Sequence, residues 1–128
     1  MREEAKLLWE QALEDLKTAE ILLENERYYA SVFFSHQAAE KALKALYFVN
    51  KREMPPKTHS ILKLVRELGI KDERIIEIAM DLTPEYIITR YPDAANDVPA
   101  RIYSRKTAEK KLNEAREVIE FCKKRLGL

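Results

Sequence analysis

The segment RYYASVFFSHQAAEKALKALYF, residues 27–48, decides the fold. Apolar residues cover most of its girth, at Val32, Phe33, Ala38, Ala39, Ala42, Leu43, Ala45, Leu46 and Phe48, and only Gln37, Glu40, Lys41 and Lys44 make a polar stripe. Neither proline nor glycine interrupts it, so a helix is predicted from about Arg27 to Phe48. A helix that apolar must be covered on several sides, and its alanines let neighbouring backbones come close.

The flanking sequence supplies the cover. From Arg2 to about Glu24, Ala5, Leu8, Trp9, Ala12, Leu16, Ala19, Leu22 and Leu23 recur at spacings of three and four, which predicts one amphipathic helix. Pro55-Pro56 stops the second helix, leaving Asn50 to Lys57 as a connector. Thr58 is then expected to cap a short helix with Ile61, Leu64, Val65 and Leu68 inward, closed by Gly69. Asp72 caps the next, with Ile75, Ile76, Ala79 and Leu82 inward, and Thr83-Pro84 marks a break and a restart that ends near Arg90. Tyr91-Pro92 and Pro99 make residues 91–103 the longest predicted loop. From Ser104, Ala108, Leu112, Ala115, Val118, Ile119, Cys122 and Leu126 mark a last long helix stopped by Gly127. No segment alternates with period two for long enough to be a strand. The expected architecture is all-α: an antiparallel up-and-down four-helix bundle with a broken fourth helix, in a single domain over residues 1–128.

Composition narrows the function. The two glycines, where average usage gives about nine, cannot build a GxGxxG or GxxxxGK[ST] loop, so a nucleotide must be held by side chains. Lys plus Arg totals 23 and Asp plus Glu 22, which leaves no global pull on nucleic acid but allows a local patch. One cysteine excludes an intrachain disulfide and multi-cysteine metal sites. The start, Met1 to Lys6, has no apolar leader and no apolar run is long enough to span a membrane, so a cytoplasmic location is expected, with no membrane partner.

Several short motifs, in order, resemble the HEPN domain family (higher eukaryotes and prokaryotes nucleotide-binding). They are Asp15-Leu16, Ala19 and Leu22-Leu23; Gln37 to Ala45; Thr58-His59 with Leu64; and Tyr86 with Arg90-Tyr91-Pro92-Asp93. The match runs from about residue 12 to 122. The resemblance implies an up-and-down helical bundle, frequent dimerisation and kinship with substrate-binding subunits of nucleotidyltransferases. It also implies a minimal nucleotidyltransferase as partner, in some cases as a toxin and antitoxin pair. The family's ribonuclease branch carries Arg-x4-6-His near the last helix. Here Arg90 is followed at those positions by Ala95, Asn96 and Asp97, and Arg101 by Lys106, Thr107 and Ala108. Arg52 and His59 meet the spacing only by flanking the Pro55-Pro56 connector. A non-catalytic accessory protein that binds nucleotide or RNA is therefore the leading expectation. An atypical metal-independent ribonuclease and a purely structural dimerisation module are the alternatives.

The candidate site is Tyr86 to Lys106, which holds three of the six tyrosines in 21 residues together with Arg90, Arg101, Arg105 and Lys106. Rings stack on bases and guanidinium groups fork onto phosphate. Arg90 is the expected anion contact, Tyr86 and Tyr91 its flanking rings and Asp93 its orienting carboxylate, with Arg101 and His59 as further ligand contacts. On the plainer reading Tyr86 packs on Arg90 one turn away and Arg90 pairs with Asp93 to pin the loop. His36 and Glu40 stand one turn apart like two metal ligands, but no second pair exists to complete a shell, so His36 is expected to hydrogen-bond between helices. Glu40 with Lys44 reads as a helical charge pair and Cys122 as core. No serine lies in a nucleophile elbow, so no serine hydrolase is indicated. No catalytic residue, metal or cofactor is assigned. A homodimer is expected from the apolar second helix and its neighbouring aromatics.

Overall fold

The computed structural model describes residues 1–128 and is all-helical. Helix α1 spans Glu3–Glu24, α2 Tyr28–Lys51, α3 Ile61–Glu67, α4 Glu73–Leu82, α5 Glu85–Ile88 and α6 Pro92–Ala95. A 3-10 turn at Pro99–Arg101 precedes α7, Arg105–Leu126. No helix is long and apolar enough to cross a membrane.

Helix α2 is the axis, as its apolar girth predicts: α1 and α7 pack along it, and α3, α5 and the 3-10 turn close the remaining sides. Ala38, Ala39, Ala42 and Ala45 are completely buried among Trp9, Leu43, Leu46, Leu64, Ile78, Leu82 and Val118. Two polar clips tie α1 to α2. The Ser31 hydroxyl donates to the Ala19 carbonyl at 2.8 Å, and Lys41 Nζ reaches the buried Asp15 carboxylate at 2.7 Å. Helix α2 runs three residues beyond Phe48 before Arg52, in a left-handed conformation (φ 56°), ends it ahead of the prolines.

The middle of the chain positions the site. Gly69 and Gly127 adopt positive φ where the chain leaves α3 and α7, as their positions predict. Asp72 caps α4 through Ile75 N–H. The cap of α3 is Ser60, whose Oγ accepts from Lys63 N–H, and not Thr58, which instead accepts from Ser60 N–H. That shift follows from a tertiary bond: Leu62 N–H, in the first turn of α3, donates to Thr83 Oγ1, which itself donates to the Ala79 carbonyl. Thr83 thereby seats the loop 58–60 against the corner between α4 and α5, where the predicted break occurs. Residues 91–103 are also more ordered than the predicted loop. Pro92 opens α6, Asn96 (φ 59°) closes it, and Pro99 starts the 3-10 turn.

Candidate functional site

On α2, Phe33, His36, Glu40 and Lys44 recur at spacings of three and four and so share a face. His36 is fully buried, and its Nε2 lies 2.8 Å from the His59 carbonyl. A carbonyl only accepts, so Nε2 carries the hydrogen and Nδ1 is free to accept from Gln37 Nε2 at 3.1 Å. This is the neutral ring, in keeping with burial holding the His36 pKa down at about 4.

Glu40 is buried yet fully engaged. Its Oε1 lies 2.9 Å from His59 Nδ1 and its Oε2 accepts from Lys44 Nζ at 3.1 Å. The carboxylate fixes the His59 tautomer: Nδ1 donates, and Nε2 of the neutral ring is left as a base on a half-exposed side chain. His59 then stacks on Tyr86, with centroids 3.7 Å apart and planes 9° from parallel.

Arg90 completes the stack. Its guanidinium carbon lies 4.1 Å from the Tyr86 ring centre, and no single ring face has room for both it and the imidazole at such range, so Tyr86 is held between two cationic or basic groups. The same guanidinium lies 4.9 Å from Tyr91 and 5.3 Å from Phe33. Arg90 Nε donates to the Tyr86 carbonyl at 2.8 Å, which sets its orientation. Its terminal nitrogens meet no carboxylate, and Asp93 forms no ion pair with it. They form a planar, charged fork open to solvent, a geometry suited to phosphate.

Beside the stack a cavity of about 410 Å³ is lined by His59, Ser60, Thr83, Pro84, Tyr86 and Ile87. The Thr83 hydroxyl is used within the fold, and Ser60 Oγ serves as a cap. The Tyr86 wall is anchored from behind by its neighbour Glu85, buried at the start of α5. Tyr103 Oη donates to Glu85 Oε1 at 2.6 Å and Lys111 Nζ stands 3.4 Å from Oε2 while also donating to the Asp81 carbonyl. Burial, reinforced by this bond, drives the Tyr103 pKa well above the usual phenol range.

The structure brings Tyr86, Arg90, Tyr91 and His59 together. Asp93, in α6, and Arg101, in the 3-10 turn, are exposed and take no part in the stack. Phe33, His36 and Glu40 are the parts that local reading assigned elsewhere. The His36–Glu40 spacing was the available signal, but its meaning depends on His59, which only the fold delivers.

The family model described as HEPN domain matches residues 5–126. The chain is 30% identical, over 97% of its length and 91% of the relative's, to a Methanocaldococcus jannaschii protein named "Putative toxin MJ1304". Among solved structures it is similar to TT1696 from Thermus thermophilus, with 36% identity and a TM-score of 0.89 over 97% of this chain and 99% of that one. It is also similar to the archaeal HEPN homologue ST0689, with 28% identity and a TM-score of 0.78 over 95% and 97% of the two chains. An HEPN domain protein from Thermotoga maritima is 29% identical, with a TM-score of 0.73 over 94% of this chain and 97% of its own.

Proposed function

Because this chain belongs to the HEPN domain family, we propose that the Arg90–Tyr86–His59 stack holds the phosphate of a nucleotide or RNA segment and that the protein acts without chemistry of its own. The family and the toxin-named relative fit a toxin–antitoxin-like module. Within such a module the protein forms a homodimer and pairs with a minimal nucleotidyltransferase in the cytoplasm. The observation that carries the reading is Arg90: a guanidinium steadied by three rings and a backbone carbonyl, with its outer edge unpaired. Of the plainer, structural reading of Arg90, the packing on Tyr86 is present, while the lock with Asp93 does not form, which leaves the fork free for a ligand.

Titration of a labelled RNA hexanucleotide and of uridine monophosphate tests the reading. Arg90→Lys keeps the charge and loses the fork, and is expected to weaken both by about tenfold while stability changes by less than about 1 kcal/mol, since the side chain is exposed. A fall in melting temperature with unchanged affinity would assign Arg90 to the fold instead. Light scattering and co-purification with a neighbouring nucleotidyltransferase test the assembly.

One observation favours a second reading, the atypical metal-independent ribonuclease. The Glu40–His59 pair resembles a base and its orienting carboxylate. Here His59 Nε2 takes the proton of a ribose 2′-hydroxyl as the 2′-oxygen bonds to phosphorus. The 5′-oxygen leaves and regains the proton, giving a 2′,3′-cyclic phosphate, while Arg90 balances the charge on phosphorus. Cyclic-phosphate ends formed in chelator-containing buffer, and lost in His59→Gln, would replace the first reading by the second.

A further inference from the structure

The face of α2 that carries the site does not stop at Phe33. Tyr29, Phe33, His36 and Glu40 recur at spacings of four, three and four, so Tyr29 continues the same stripe one turn towards the helix N-terminus. At that turn the arrangement repeats in miniature. The Arg27 guanidinium lies 5.4 Å from the Tyr29 ring centre, and Arg27 Nη2 donates to Tyr29 Oη at 3.3 Å. Arg27 is exposed, and neither Glu24 nor Glu26, its acidic neighbours in the turn between α1 and α2, forms an ion pair with it. By contrast Arg105, over Tyr28 on the adjoining flank, already has Glu109 within 3.8 Å. The helix rise separates Tyr29 from Phe33 by about 6 Å along the axis.

We propose that Arg27 and Tyr29 form a second phosphate-and-ring subsite in line with Arg90 and Phe33, and that the ligand of this face is therefore a single-stranded oligonucleotide rather than a mononucleotide. The inference rests on the reading of Arg90 as a phosphate contact and adds its direction and extent. Two unpaired guanidinium groups, each steadied on a ring, repeat along one helix face. A mononucleotide engages the Arg90 subsite, where three rings surround the guanidinium against one at Arg27; a flexible strand bridges both, with its phosphates on the cations and its bases free to meet the rings. A duplex, whose bases are already stacked on each other, leaves the rings unused.

Binding of a 5′-labelled uridine hexanucleotide, followed by anisotropy over a salt series, and of uridine monophosphate, followed by calorimetry, tests this with the wild type, Arg27→Gln and Arg90→Lys. Wild type is expected to bind the hexanucleotide at least about tenfold more tightly than the monophosphate. Arg27→Gln should weaken the hexanucleotide by about three- to tenfold and flatten its salt slope by about 0.7, the loss of one phosphate contact on a single strand. It should leave the monophosphate unchanged, whereas Arg90→Lys weakens both. Hexanucleotide affinity and salt slope unchanged in Arg27→Gln, or a hexanucleotide that binds no better than the monophosphate, overturns the second subsite and spares the first. Failure of both probes to bind the wild type overturns both.

Discussion

Replacing Glu40 by Ala is expected to destabilise the protein by about 2–3 kcal/mol and to release His59 from Tyr86. Removing one member of a fully buried pair costs about 3–5 kcal/mol because the partner charge is stranded. Glu40 is itself only 4% exposed, but its partners are less so confined. The Lys44 side chain keeps 15% of its surface and His59 keeps 50%, so water recovers part of the lost bonding. The loss also reaches the ligand. Without Oε1 the imidazole has no fixed tautomer and no reason to lie parallel to the phenol ring. Thermal denaturation measures the first effect. Proton NMR measures the second, since the ring protons of His59, stacked on Tyr86 with centroids 3.7 Å apart, carry a ring-current shift that Glu40→Ala should erase. If that shift survives, packing alone holds His59 and the carboxylate is incidental.

Glu114→Gln is expected to act in the opposite direction, stabilising the protein by about 2 kcal/mol at pH 8 and little at pH 5. Glu114 of α7 is 1% exposed and neither oxygen has a hydrogen-bond donor beside it. Burial first, and the neighbouring Asp81 second, push its pKa up to about 7. With its proton on, Glu114 can itself donate to the Asp81 carboxylate, whose pKa is held below the usual range chiefly by that bond. The folded chain therefore keeps a proton that the unfolded chain releases near 4.5. The resulting stability is fully present below about pH 4.5 and is lost as pH rises through about 7. A shift of this size corresponds to about 3 kcal/mol, reduced to about 2 by the screening that reaches the partly exposed Asp81. Glutamine donates without titrating, so the melting temperature of the variant should rise relative to that of the wild type by several degrees between about pH 5 and neutrality and then keep that lead. His36 contributes the mirror image. Its pKa is held down from 6.5 to about 4, so its contribution stands above pH 6.5 and is lost as pH falls towards 4. A difference between variant and wild type that stays constant from about pH 5 to 8 would show that Glu114 is not the titrating group, since His36 acts equally in both.

These two carboxylates also mark where sequence and structure part company. Glu40 looks like half of an ordinary i, i+4 pair with Lys44, and that pair forms; its second bond goes to a histidine 19 positions later. Glu114 lies between the exposed Asn113 and Arg116 on a helix rich in charge, where its type alone suggests solvent, and it is buried.

What the sequence determined by itself is everything carried by contacts within a turn or two: the apolar girth that makes α2 central, the spans of α1 and α7, the cap at Asp72, the left-handed stops at Gly69 and Gly127, and the break at Thr83-Pro84. Such signals are local because helix hydrogen bonds and side-chain neighbours reach only three or four residues along the chain. The tertiary structure decided the rest. Thr58 and Ser60 are both competent caps, and the choice fell to Ser60 as Thr83, 21 residues away, takes the Leu62 N–H. Arg90 packs on Tyr86 one turn away, as local spacing allows, but its third ring, Phe33, and the His59 on the other side of Tyr86 come from distant parts of the chain. The site itself joins residues 33–40, 59 and 86–91. Which side chains meet across such gaps depends on how three helices pack and where two short loops land, and no periodicity in the sequence encodes that.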